Sequence, residues 1–64
     1  MSFRHYATVA AIAERNGRYN EAGRNWTDAA GLAKKYENRQ WAERRAEFCV
    51  KAGGRNVQVV SEAV

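Results

Sequence analysis

Apolar residues recur along most of the chain at spacings of three and four, the period of an α-helix that buries one face. Phe3, Tyr6, Ala10 and Ala13 form one such stripe, widened by Val9 and Ile12. It predicts a first helix from about Ser2, a suitable N-cap, to Asn16, where Asn16-Gly17 makes a good stop. A second stripe, Ala22, Trp26, Ala29, Ala33 and Tyr36, predicts a helix that begins near the capping residue Asn20 and reaches about Tyr36. Asn38 can cap a third helix, which is expected to end at Gly53-Gly54. Trp41, Arg45, Phe48 and Ala52 form one row of this helix, and Ala42, Ala46 and Cys49 the row beside it.

There is no proline to interrupt these helices, and the connections at residues 17–19 and 37–38 are short. Short connections make successive helices antiparallel neighbours. The expected fold class is therefore all-α, with three antiparallel helices in residues 1–54 and a C-terminal tail at 55–64. VQVV in that tail is strand-like in composition, so the tail is read as either disordered or paired across a dimer or a partner's sheet edge. Gly23 and Gly31 each weaken the second helix by about 1 kcal/mol relative to alanine, which points to close approach of a neighbouring helix.

Composition sharpens the picture of the core. The chain has 64 residues, 45% of them hydrophobic, but much of that fraction is alanine, which buries little. Two Trp, three Tyr and two Phe must supply most of the burial energy. The expected core is Ile12, Tyr19, Trp26, Trp41 and Phe48, with Ala22, Ala29 and the small thiol Cys49 between them. So thin a core would gain from self-association, and a homodimer is expected.

Catalytic chemistry is poorly represented. One histidine (His5) and one cysteine (Cys49) lie far apart, and there is no glycine-rich phosphate loop or paired metal-ligand motif. The expectation is a non-enzymatic protein with no cofactor and no metal. A lone cysteine, no signal-peptide pattern and no long apolar run point to a reduced, cytoplasmic protein without a membrane span.

The net charge of +4 is concentrated in residues 34–55, where Lys34, Lys35, Arg39, Arg44, Arg45, Lys51 and Arg55 face only Glu37, Glu43 and Glu47. Such a segment suits nucleic acid or an acidic protein surface. It also suits a solvated helix face on which Glu47 and Lys51 pair at i, i+4. Arg39, Arg44, Arg45, Lys51 and Arg55 are the candidate partner-binding residues.

Two resemblances follow from the same positions. A helix ending at Gly17, then Tyr19, Ala22, Trp26 and Ala29, resembles the way a tetratricopeptide helix pair is written, which implies tetratricopeptide-like packing. The order Gly17, Tyr19, Ala22, Trp26, Ala29, Ala33, then Asn38, Trp41, Arg45, Phe48 and Cys49, resembles the AraC-negative-regulator family of small bacterial and phage proteins. The match spans roughly residues 10–51. That resemblance implies a transcriptional regulator that binds an AraC-type activator and stops it dimerising or engaging DNA. The rival reading is a DNA-binding helix-turn-helix, with Arg39, Arg44 and Arg45 on the recognition helix. Three glutamates on that helix would face the phosphates.

Overall fold

The Ser2 hydroxyl accepts the His5 backbone N–H at 3.2 Å and so starts the first helix, α1, which runs Phe3–Arg15. In the computed structural model, which describes residues 2–63 and the side chains of residues 2–54, two further helices follow. They are α2, Tyr19–Leu32, and α3, Tyr36–Ala63. The fold is all-α, with no strand among the described residues.

The first turn is built as the sequence predicts. Gly17 has φ +75°, a conformation that a residue with a Cβ adopts only under strain. The Gly17 N–H donates to the Glu14 carbonyl at 3.0 Å and the Arg18 N–H to the Ala13 carbonyl at 2.9 Å. Those two bonds satisfy carbonyls that the helix end would leave without partners.

The other boundaries differ from expectation. Arg18, not Asn20, holds the N-cap position of α2, and no side chain caps it. The helix ends at Leu32, and Ala33 is extended at φ −68° and ψ 130°. Tyr36 therefore opens α3 instead of closing α2, two residues before the expected cap at Asn38. Apolar spacing continues in step across this short turn, so periodicity alone could not locate the break.

Nor does α3 stop at Gly53-Gly54. Gly17 is the one glycine with positive φ among the described residues, and a glycine stop needs that conformation. Gly53 is instead a contact residue: a Cβ there would collide with the Asn20 side chain in the first turn of α2. The tail expected at 55–64 lies outside the residues whose side chains are described.

Alanine makes the core. Ala10 and Ala13 of α1, Ala22, Ala29 and Ala30 of α2, and Ala42, Ala46 and Cys49 of α3 are buried around Trp26. Gly23 adds to the close approach, with room for a Cβ only in ordinary contact, 3.5 Å from the Cys49 Cβ. Gly31 does not share that role, since nothing lies within 4 Å of a Cβ built on it. Both α1 and α3 pack along α2 and scarcely touch each other through the backbone. Gly53 meets Asn20 near the start of α2, while Trp41 meets Trp26 farther along it, so α3 runs antiparallel to α2.

This tight packing overturns part of the expected core. Trp41 is 56% exposed, Phe48 47% and Ile12 50%. Helices that meet through alanine and glycine leave no gap wide enough for a large ring at the edge of the contact. Trp41 and Phe48 consequently lie across the flank of α3, and Ile12 points outward from α1.

Candidate protein-binding face on α3

A carboxylate holds the three helices together. Glu14, on the last turn of α1, has a side chain only 12% exposed. Both of its oxygens accept from Arg45 Nε of α3 at 2.9 Å, and Arg45 Nη2 donates to Oε1 as well. The indole N–H of Trp26, from α2, donates to Oε2. One carboxyl group thus joins all three helices. The Arg45 hydrogen bond holds the Glu14 carboxyl below its ordinary value; burial opposes this, and the Trp26 bond reinforces it. The same contact raises Arg45 above the usual arginine value. The Arg45 guanidinium also lies over the Phe48 ring, 4.5 Å from its centroid.

Arg45, expected among the partner-binding residues, is therefore engaged within the fold, with 40% of its side chain still exposed. An arginine on an apolar row needs an anion inside, and Glu14 supplies it. Sequence reasoning missed Glu14 itself. The signal was there: Glu14 lies four residues beyond Ala10 at the edge of the apolar stripe, opposite a helix with an arginine on its own apolar row.

Cys49 is fully buried against the same cluster. Burial pushes its thiol up to about 11, and the neighbouring Glu14 carboxylate adds to the rise. At neutral pH it is a protonated, water-excluded thiol, because the lowering by the nearby Arg45 charge is outweighed by burial and Glu14. Among the described residues, no three His, Cys, Asp or Glu side chains gather as metal ligands. None of the helices, among the described residues, is long and apolar enough to cross a membrane.

The remaining candidates divide by position. Arg39 is exposed and pairs with Glu43 at 3.3 Å, one turn on. Arg44 and Lys51 are exposed seven residues apart on α3, and neither forms an ion pair within the described residues. The Glu47–Lys51 pairing that a solvated face would favour is not formed among them either. Arg55 lies outside the residues whose side chains are described.

Next to Arg44 along the helix circumference run Trp41 and Phe48. Trp41 rests edge-on against Trp26, ring centroids 4.9 Å apart at 69°. Phe48 meets the half-buried Tyr19 at 6.4 Å and 78°. Each ring has an aromatic neighbour and is about half exposed to solvent. The outer flank of α3 thus presents two aromatic rings bordered by unpaired cations. No motif marked these rings as exposed, because their helical spacing is that of core residues.

Comparison with known proteins adds one relative. The chain is 47% identical over 47 residues to a protein of the Mu-like prophage FluMu region of Haemophilus influenzae strain Rd. The match takes in 73% of this chain and 63% of that protein, so the chain spans less than two thirds of its relative. No family profile matches the chain. No solved structure matches it.

Proposed function

We propose that this protein is a non-enzymatic regulator that binds and inhibits a partner protein through the outer flank of α3. The observation that carries the reading is the exposure of Trp41 and Phe48 beside Arg44 and Lys51. A domain this short of aromatic core leaves two of its large rings half in water, and Trp and Arg are the residues most often found as energetic anchors of interfaces. The resemblance to the AraC-negative-regulator family names an AraC-type transcription activator as the partner. The likeness to a prophage protein agrees with the bacterial and phage setting of that family. A cytoplasmic location and a homodimeric state belong to the same reading, with the open apolar flank available to a second copy.

The helix-turn-helix alternative is weakened by the charge geometry. It needs Arg39, Arg44 and Arg45 free to reach DNA, whereas Arg45 is held by Glu14 and Arg39 by Glu43.

The test is charge reversal with a partner captured from host cytosol. Arg44→Glu with Lys51→Glu should abolish capture while the helical circular dichroism and melting temperature stay unchanged. Capture with undiminished affinity would remove α3 from the interface.

A further inference from the structure

The other concentration of unpaired charge lies at one end of the molecule. There the start of α1 meets the turn between α2 and α3, and a cleft of about 500 Å³ opens between them. Arg4, Lys34 and Lys35 line it together with Phe3, Leu32 and Asn38, and no acid does. None of these three cations forms an ion pair within the described residues. Glu37 is exposed in the first turn of α3 but does not line the cleft. The larger groove between α2 and α3, about 650 Å³, is different: the acids Glu43 and Glu47 line it beside Arg39 and Lys51, and Glu43 pairs with Arg39.

Two exposed aromatic residues lie close in sequence to the cleft-lining Lys35 and Asn38 without lining the cleft themselves. Tyr36 follows Lys35 directly and is 70% exposed. Trp41 stands one turn along α3 from Asn38 and is 56% exposed. Cations beside accessible aromatic faces suit a single-stranded nucleic acid, whose phosphates meet the cations while its bases stack. A duplex keeps its base faces inside the stack and would leave Trp41 unused. An acidic peptide would satisfy the lysines but offers no base to stack.

We propose that the cleft between the start of α1 and the α2–α3 turn, with Arg4, Lys34 and Lys35, binds the phosphodiester backbone of a single-stranded nucleic acid. Trp41 stacks on a neighbouring base. This activity is separate from the protein-binding reading, and the two surfaces meet at Trp41.

The experiment is a titration of the full chain against a fluorescently labelled oligothymidylate at several salt concentrations. Three cations that each neutralise a phosphate on a single strand give a slope of log affinity against log salt of about −2. Lys34→Glu with Lys35→Glu should reduce that slope to about −0.7, the contribution left by Arg4. Trp41→Ala should leave the slope unchanged and weaken binding about 5- to 150-fold, the range for losing one stacked base. Circular dichroism of each variant establishes that it is folded, and Lys34→Gln with Lys35→Gln offers a milder substitution should charge reversal disturb the turn. The proposal is overturned by absence of binding at low salt, by equal affinity for the blunt duplex, or by an unchanged slope in the lysine variants. Displacement of the oligonucleotide by polyglutamate at equal charge concentration would also overturn it and assign the cleft to an acidic protein segment.

Discussion

Arg44 and Arg45 are adjacent in sequence and opposite in fate. Arg45 turns inward to a carboxylate with little exposure, stacks on Phe48 and helps hold α1 to α3. Arg44 turns outward, with no ion pair among the described residues. The same contrast holds between larger regions: Glu14 and Arg45 match each other's charge, while Arg44 and Lys51 on the outer flank of α3 and Arg4, Lys34 and Lys35 at the cleft form no ion pair among the described residues. Matched charge here holds the fold together, and unmatched charge is what remains for binding. Net charge alone conceals the distinction, since both arginines count equally towards +4.

The most drastic way to break the matched region is to remove its ring. Trp26→Ala deletes the one large buried ring among the described residues and its hydrogen bond to Glu14, and should cost about 3–5 kcal/mol. A domain of this size has little more stability than that, so loss of the helical circular dichroism signal at room temperature is expected.

Glu14→Gln is milder, because the amide can still accept from Trp26 while losing charge-assisted bonds to Arg45. The expected cost is about 1.5–3 kcal/mol, measured by denaturant unfolding. The pH dependence follows in sign. The Glu14 carboxyl is held below its ordinary value of 4.5 in the folded chain, so its contribution is present above that pH and is lost as the pH falls through the folded value. The melting temperature should therefore drop on acidification below about pH 4.5, and Glu14→Gln should show a shallower fall.

Trp41→Ala sharpens the comparison from the other side. Its ring is half exposed and keeps an edge contact with Trp26, worth about 0.5–1.5 kcal/mol. The variant should stay folded in the same denaturant assay, with a far smaller loss than Trp26→Ala.

The helices were legible from spacing, and so was the stop at Gly17, because a positive-φ turn after Asn16 has a distinct residue signature. The division between Trp26 and Trp41 was not. Both sit at helical intervals on apolar rows, and only the closeness of the alanine contacts decides which ring fits inside. Gly53 shows the same limit, since a glycine that ends a helix and a glycine that admits a neighbour's side chain look alike in a string of letters. For the candidate site, the exposed cations Arg39, Arg44 and Lys51 could be picked out by composition, but seeing that Arg45 differs from them required knowing that Glu14 faces it across the bundle.

The most direct measurement sets Arg44→Ala beside Arg45→Ala in thermal unfolding. The division of matched from unmatched charge predicts that Arg45→Ala, whose side chain is 40% exposed, loses about 1–2 kcal/mol, a fall in melting temperature of roughly 5–15 °C. Arg44→Ala should melt with the parent. Equal melting temperatures for the two variants, or a larger loss at Arg44, would contradict it.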